Sequence, residues 1–336
     1  MNFHIRIFIR MHHLTHYIVR GCGTRVNAVE ICCMHPSKGE PWITIVDRIN
    51  VVILRELRSN CRISLREIAK KCKLSAPAIK RRIRNLEQSD IIVKYVLQYS
   101  LAMVKAIAIL FEVFTDGSED VIKFVEQIGI NTMISEVCWG GVNEYIIFGY
   151  YIDIEDAFFL MEQIRNHDFV NAVKTYPLLL PRGESKQLTK IQKSIVQELL
   201  DEPRLSPPDV ASKVGISTKT ARKNISSLNG KILQFSINWN PSGHQNLGYI
   251  IKLQLIKETK MAWILDTLQN TSISTNIWET YRCAIEPILF LLISTQTNTE
   301  LKDTMCKLRS IQDISRVSMI KCVSWHTFPN LRQMKL

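Results

Sequence analysis

The chain first shows helical periodicity between residues 47 and 58, where four apolar residues share one face: Ile49, Val52, Ile53 and Leu57. Ser64 and Glu67 then have the spacing of a capping box, which marks the start of a second, short helix. Ser75 is placed to cap a third helix. Residues 91–99 read as an extended segment. Short helices followed by a strand predict a winged helix-turn-helix domain over residues 44–100.

The pattern then changes to strand, helix, strand, strand, helix, strand. The segments are 106–114, 118–129, 132–139, 144–152, 153–167 and 170–180. Ser118 is the expected cap of the first of these helices, and Gly129 is its expected end. This order predicts a ferredoxin-like sandwich of one sheet and two helices over residues 101–181.

The helix-turn-helix pattern occurs twice. Residues 63–87 and 205–229 agree in their apolar and capping positions at a constant offset of 142 residues. Examples are Ser64 with Ser206, Ala69 with Ala211, Ser75 with Ser217, Ile83 with Ile225 and Leu86 with Leu228. A repeat of this length indicates one folding unit that has been duplicated.

The second copy completes the predicted organisation. Thr189 and Gln192 form another capping box, and Pro207 follows Ser206 at a first helical position. We expect a second winged helix-turn-helix over 188–240, a second ferredoxin-like domain over 241–325 and a tail over 326–336. Residues 182–187 are the linker. The predicted fold class is therefore α+β, with two tandem copies of a winged helix-turn-helix followed by a βαββαβ sandwich.

Residues 1–43 are left unassigned, as an N-terminal extension whose composition is compatible with disorder. They are rich in histidine and cysteine, which raises the hypothesis of a metal site. The spacing fits no regular zinc pattern, so we expect no metal there. An acid-poor start that contains arginine also resembles a targeting peptide, and an extension upstream of the true start is the remaining interpretation.

The net charge is +12, which favours an anionic partner. No apolar run approaches the roughly 18–20 residues that span a bilayer, so we expect no membrane association. Nine cysteines without a CxxC pair favour a reducing cytoplasm over a disulfide scaffold. No GxSxG, phosphate-cradling glycine loop or HExxH motif is present. The sequence therefore predicts no catalytic residues and no cofactor.

Positive charge concentrates on the first helix-turn-helix. Residues 45–95 hold thirteen lysines and arginines against five carboxylates, whereas residues 188–240 hold eight against four. We predict that the first unit binds double-stranded DNA, mainly through its phosphates. The predicted DNA-binding residues are Ser75, Ala76, Ala78, Lys80, Arg81, Arg82, Arg84, Lys70, Lys71 and Lys73 in the first copy and Lys219, Arg222 and Lys223 in the second. By position, Arg81 is the candidate for a base edge.

The residues of the first copy resemble the winged helix-turn-helix of the Lrp/AsnC (feast/famine) transcription regulators. The resemblance rests on Asp47-Arg48-Ile49, Arg62-Ile63-Ser64, Ile68-Ala69, Leu74-Ser75, Arg82-Ile83 and Leu86-Glu87. It covers residues 45–181 well and 188–325 more loosely. It implies a regulator that binds promoter DNA as a dimer or larger even-numbered assembly and that responds to an amino-acid-like effector.

Two departures from the family pattern matter. The family usually has one copy per chain, so two fused copies are expected to form an internal pseudo-dimer, a homo-oligomer, or both. The family's effector turn is Gly-x-x-Asp-Tyr or similar, whereas this chain replaces the Asp. The residues that this resemblance implies for effector binding are Gly140, Gly141, Asn143, Glu144 and Tyr145. A glycine pair is also what an ordinary hairpin turn requires.

Two other functions stay open. Tandem Lrp-like modules also occur in siroheme decarboxylases, whose sandwich carries a motif with histidine and arginine. The corresponding stretches here, 136–148 and 278–290, contain no histidine. The third alternative is a sensor or oligomerisation protein whose helix-turn-helix units do not bind DNA.

Overall fold

The structure of the protein is a computed structural model that describes residues 47–241 and 247–334. In the first half, the helices are α1 (Arg48–Ser59), α2 (Leu65–Cys72), α3 (Ala76–Gln88), α4 (Val121–Gly129) and α5 (Ile154–Arg165). The strands are β1 (Ile92–Tyr99), β2 (Ile107–Thr115), β3 (Ile134–Trp139), β4 (Glu144–Tyr151) and β5 (Val170–Leu179).

The second half repeats this order and adds one strand. Its helices are α6 (Lys190–Asp201), α7 (Pro207–Val214), α8 (Thr218–Leu228), α9 (Met261–Asn270) and α10 (Asn298–Arg309). Its strands are β6 (Leu233–Trp239), β7 (Leu247–Leu255), β8 (Ile277–Cys283), β9 (Ile288–Thr295), β10 (Ile314–Cys322) and β11 (Ser324–Thr327). Within the described ranges, no helix is both long and apolar enough to cross a membrane.

Short polar side chains fix the helix starts in both copies. The Ser64 hydroxyl accepts from the Glu67 amide at 3.2 Å, and the Glu67 carboxylate accepts from the Ser64 amide at 3.0 Å. Thr189 and Gln192 make the same reciprocal pair at the start of α6. The turn after α2 places Lys73 at φ 53°, and its equivalent after α7 is Gly215 at φ 73°. The two units therefore share one backbone, although only the second has glycine at this left-handed position.

The two copies pair with each other within the chain. Strand β1 lies antiparallel to β6, and Tyr95 is opposite Ile237, a position 142 residues further on. This is the same offset that relates the helix-turn-helix repeats. An antiparallel pair in which a segment faces its own duplicate has local twofold symmetry, so a pseudo-twofold axis passes close to Tyr95 and Ile237.

The remaining strands form one sheet in the order β10-β7-β9-β8-β5-β2-β4-β3-β11. Strand β5 joins the two halves by pairing with β8 at Leu178 and Leu179. The opposite ends of the order are β10 and β11, yet only Val323 separates them in sequence. The chain therefore passes from one edge of the sheet to the other through one residue, which closes the sheet into two facing layers.

Three hydrophobic clusters follow from this arrangement. The inner faces of both layers share one core with the helix-turn-helix units, which includes Phe148 of the first copy and Phe290 of the second. The outer face of the first layer packs under α4 and α5, and that of the second under α9 and α10. The inner core buries residues of both copies, so it forms only when the two are together.

A buried ion pair crosses between the two layers. The Lys252 Nζ of β7 lies 2.8 Å from Glu112 Oε2 of β2, whose side chain is only 7% exposed. The Tyr176 hydroxyl donates to the same carboxylate at 3.0 Å, and Lys252 Nζ donates to that hydroxyl at 2.6 Å. The exposed Lys174 Nζ is 3.9 Å away. Lys252 is therefore the main counter-charge of a carboxylate that water reaches poorly.

The structure differs from the sequence predictions at three places. The N-cap of α4 is Asp120 rather than Ser118, and the helix starts correspondingly later. Residues 272–275 form a 3₁₀ turn before β8, which begins at Ile277, and this turn is an addition to the predicted βαββαβ order. The predicted tail is part of the fold, because β11 pairs with β3 and Arg332 is buried. A four-residue edge strand has too little periodicity to be recognised from sequence.

We predict that Lys252→Met lowers the free energy of unfolding by about 3 kcal/mol, because it leaves the Glu112 carboxylate buried without its main counter-charge. Urea unfolding followed by far-UV circular dichroism measures the change. The matched control is Lys174→Met, which removes an exposed partner of the same carboxylate and should cost less than about 1 kcal/mol. The double variant Glu112→Gln/Lys252→Met should recover most of the loss, and equal losses in the two lysine variants would contradict the assignment.

Candidate nucleic-acid interface

Helix α3 has one buried and one exposed face. Ile79, Ile83 and Leu86 are buried in the shared core. The exposed face carries three cations: Lys80, Arg81 and Arg84. Ser75 caps the helix by accepting from the Ala78 amide at 3.3 Å. The cap and the apolar stripe together orient the cationic face toward solvent.

The structure brings most of the predicted DNA-binding residues of the first copy to the surface. Ala76, Ala78 and Arg82 are half-buried, and the others are exposed: Lys70, Lys71, Lys73, Ser75, Lys80, Arg81 and Arg84. Lys71 Nζ is paired with Glu56 at 2.7 Å. Among the residues that the structure describes, no carboxylate lies within 4.0 Å of the other exposed cations of this group. Their charge is therefore available to an external anion.

Arg82 has a different environment. Its Nη1 lies 2.8 Å from Asp47 Oδ2 and donates to Asn50 Oδ1 at 3.1 Å. Asp47 is also the N-cap of α1, because its carboxylate accepts from the Asn50 amide at 2.8 Å. Arg82 therefore ties α3 to the start of α1. The sequence predicted that Arg82 contacts DNA, whereas in the structure its partners are Asp47 and Asn50 of the same chain.

The second copy has the same connection with uncharged groups. At the offset of 142, Asn50 corresponds to Gln192 and Arg82 corresponds to Asn224. The Gln192 amide donates to Asn224 Oδ1 at 3.2 Å. Since both copies join the third helix to the first at this position, Arg82 has a structural role, and its contact with DNA stays a prediction.

The second unit presents fewer cations. Lys219, Arg222 and Lys223 are exposed on α8, and Ser217 caps that helix by accepting from the Thr220 amide at 3.1 Å. Lys213 on α7 lies 3.3 Å from Glu198. The surface of the second unit is thus similar in form but weaker in charge.

Reciprocal arginines hold the two units together. Arg62 lies over the Phe235 ring at 5.1 Å and donates to the carbonyls of Pro203 and Leu205 at 2.6 and 2.7 Å. Its counterpart at the same offset, Arg204, lies over the Tyr95 ring at 4.6 Å. Each copy therefore reaches into the other, which fixes α3 and α8 on one frame. These contacts were not predicted from the sequence, although Arg62 and Arg204 stand at the same offset of 142 residues.

The predicted effector hairpin is tightly packed. A Cβ on Gly140 would lie 2.9 Å from Ile320, and a Cβ on Gly141, at φ 95°, would lie 2.7 Å from Val323. Tyr145 is buried and donates to Glu119 at 2.7 Å, and burial raises its pKa well above the usual value. Glu144 is half-buried and Asn143 is exposed. The glycines thus allow the second copy to approach, and effector binding at this hairpin stays a prediction.

The hypothesis of a metal site fell on residues 1–43, which lie outside the described residues. Within residues 47–241 and 247–334, no group of three or more histidine, cysteine or carboxylate side chains is placed to hold a metal ion.

The two helix-turn-helix segments are similar in sequence to known DNA-binding proteins. A family model described as winged helix-turn-helix DNA-binding matches residues 46–93 and 188–229, which contain α1–α3 and α6–α8. The HTH-type transcriptional regulator LrpC of Bacillus subtilis is 42% identical over 53 residues, which are 16% of this chain and 37% of that protein. The chain therefore contains two segments that match winged helix-turn-helix DNA-binding units, and part of it is similar to an HTH-type transcriptional regulator.

An HTH-type transcriptional regulator of Pyrococcus abyssi, itself uncharacterized, is 48% identical over 50 residues, which are 15% of this chain and 32% of that protein. The matches span about a third of the length of these two relatives. The crystal structure of the siroheme decarboxylase NirDL has a TM-score of 0.51 and 11% identity, and covers 85% of this chain and 94% of that one. This likeness shows a shared fold across both copies.

We predict that Arg82→Ala lowers the free energy of unfolding by about 1 kcal/mol, because it removes a partly exposed ion pair and loosens the cap of α1. Thermal and urea unfolding measure the loss. The matched control is Arg81→Ala, one residue away and without a carboxylate partner among the described residues, which should change stability by less than about 0.5 kcal/mol. A double-mutant cycle with Asp47→Asn should give positive coupling. Equal stability of Arg81→Ala and Arg82→Ala would refute the structural role.

Proposed function

We propose that the chain is a sequence-specific, DNA-binding transcription regulator of the Lrp/AsnC type, acting in the cytoplasm, whose first helix-turn-helix dominates binding. The observation that carries this proposal is the exposed, unpaired cationic face of α3 in a capped unit that matches a winged helix-turn-helix DNA-binding family. In such units the last helix enters the major groove. The second unit also exposes three cations on α8, but Ser212 and Gly215 stand where the first unit has Lys70 and Lys73, so it adds a weaker contact.

Phosphate contacts supply most of the affinity in this proposal. Lys70, Lys73, Lys80 and Arg84 surround the start and outer face of α3, where they neutralise phosphates and release counterions. Small side chains at Ser75, Ala76 and Ala78 make few bidentate base contacts. Specificity then comes from Arg81 and from the shape of the DNA.

The paired copies act as an internal pseudo-dimer in this proposal. Pairing of β1 with β6 presents two unlike units to one duplex, as a homodimer presents two like units. Larger assemblies are also part of the proposal, because α5 exposes Ile154, Phe158 and Phe159. The family resemblance also implies that a small-molecule effector binds near the hairpin that contains Gly140, and this is part of the proposal.

We infer that the chain is not a siroheme decarboxylase, although NirDL shares its fold. The stretches 136–148 and 278–290, which correspond to the decarboxylase motif by resemblance, contain no histidine. The exposed cations of α3 also suit DNA binding. Fold alone does not carry the activity.

We predict that Arg84→Ala weakens binding to all duplex sequences by a similar factor and reduces the slope of log affinity against log salt by about 1, as expected for one lost phosphate contact. Fluorescence anisotropy with labelled duplexes at several salt concentrations measures both quantities. Arg222→Ala in the second unit should have a smaller effect.

The control for this experiment is Arg309→Ala, which removes an exposed arginine at the end of α10, away from both helix-turn-helix units. It should leave affinity and slope unchanged. Protein that does not bind duplex DNA at low salt, or that loses as much affinity with Arg309→Ala as with Arg84→Ala, would refute the proposed function.

Anoxic incubation with siroheme tests the enzymatic alternative. We predict no change in the mass of the tetrapyrrole, because the histidine of the decarboxylase motif has no counterpart here. Mass spectrometry of the extracted pigment measures this, with NirDL as the positive control. Loss of carbon dioxide from siroheme in the presence of this chain would establish the enzyme.

A further inference from the structure

A cavity of about 610 Å³ lies between the helix-turn-helix layer and the sandwich. Helix α1 and strand β6 form one side of it, and strands β2, β3, β4 and β8 form the other. Both copies contribute to its wall, whereas Gly140, Gly141, Asn143, Glu144 and Tyr145 are not among its described lining residues. The volume is in the range that holds a small organic molecule.

A buried arginine lines this cavity without a carboxylate partner. Arg332 is 7% exposed, and its guanidinium donates to the Tyr99 carbonyl at 2.8 Å, to the Tyr150 hydroxyl at 3.3 Å and to Gln234 Oε1 at 3.2 Å. All of these acceptors are neutral. Among the described residues, no carboxylate lies within 4.0 Å of it. A buried cation with only neutral partners favours the entry of an anion.

A second arginine of the wall, the half-buried Arg55, also has no carboxylate partner among the described residues. Arg55 of α1 donates to the carbonyls of Ser274, at 2.7 Å, and Ile277. Burial lowers its pKa, and no described carboxylate is paired with it. The nearby Arg58 is neutralised, because it forms an ion pair with Glu279. The wall therefore has more positive than negative charge.

The apolar part of the wall is aromatic. Trp278 lines the cavity and stacks on Trp239 with ring centroids 4.1 Å apart and an angle of 3° between planes. The buried indole N–H of Trp278 has no hydrogen-bond partner among the described residues. A buried donor of this kind is unfavourable unless a ligand accepts from it. Phe148, Tyr150 and Tyr281 complete the aromatic lining.

We propose that this cavity binds a small organic anion whose charged group pairs with the arginines of the wall and whose apolar body packs against its aromatic side chains. Such a ligand would connect α1 of the first copy with β8 of the second, since Arg55 and Trp278 lie on these two elements. Binding of the anion does not depend on the proposed DNA-binding function, and it is measured in the absence of DNA.

Glu136 makes the binding depend on pH. It lines the cavity on β3, and burial raises its pKa to about 7, with Arg58 opposing and Glu279 adding to the rise. The charged and titratable groups that face it are Arg58 from α1, Glu279 and Tyr281 from β8, and the Cys138 thiol two residues along β3. Its strand partners Phe148 and Thr327 carry no charge. Above pH 7 the ionised Glu136 repels an anion, and below pH 7 the neutral acid does not.

The experiment titrates the full chain with 8-anilinonaphthalene-1-sulfonate, an aromatic anion that fluoresces in apolar sites, and with the uncharged N-phenyl-1-naphthylamine. The sulfonate should bind at least about tenfold more tightly than the uncharged dye, the effect of charge-assisted hydrogen bonds. Its dissociation constant should rise about tenfold between pH 6 and pH 8. In Glu136→Gln the constant should stay at the low-pH value throughout.

Arg332→Met should weaken sulfonate binding by about tenfold or more, and Arg309→Ala should leave it unchanged. Circular dichroism shows whether each variant is folded. If Arg332→Met does not fold, Glu136→Gln carries the test alone, because a neutral isostere in the wall affects only a ligand inside the cavity. Equal binding of the two dyes, or a pH response that persists in Glu136→Gln, would overturn the proposal.

Discussion

The pairing of the chain with its own duplicate is the constraint on which the rest of the structure depends. Strands β1 and β6 lie antiparallel about an axis near Tyr95 and Ile237, and the sheet closes through the connection between β10 and β11. Neither copy buries its inner face without the other, because the central core includes both. The burial of apolar area therefore favours the two copies together over each one alone.

The two copies carry different residues at the surfaces where they contact each other. Glu112 and Lys252 form a buried pair of opposite charges across the layers. The register shifts at Thr115 in β2 and Leu255 in β7 align these two strands, so Lys252 corresponds to Glu112 itself, and two first copies would bring two Glu112 carboxylates together. A buried ion pair often adds little net stability, but an unpaired buried charge is costly. The pair thus selects the association of unlike copies.

Local features were predictable from sequence, and contacts between copies were not. Capping boxes and helix periodicity depend on residues three or four positions apart, so Ser64, Thr189 and Ser217 were assigned correctly. Arg82 lies in a run of basic residues, which in the sequence indicates a DNA contact. Only the fold shows that Asp47 is its partner. The burial of Arg332 could not be predicted, because its acceptors lie 98 to 233 residues away.

The cavity shows how broken symmetry can produce a site. Strands β3 and β8 have the same irregularity of register, at Ile134/Glu136 and Ile277/Glu279, so the two glutamates are twofold counterparts. Only Glu279 forms an ion pair with an arginine, because the position that corresponds to Arg58 in the second copy is Leu200. Glu136 is left without an equal partner, and its pKa is raised to about 7. Arg332 lies in the segment after the second repeat. It has no counterpart from the first copy, so it adds a positive charge to the cavity without a symmetry-related equivalent. A symmetric dimer would place equal charges on both sides of its axis, whereas a fused pair can concentrate arginines on one side, as an anion site requires.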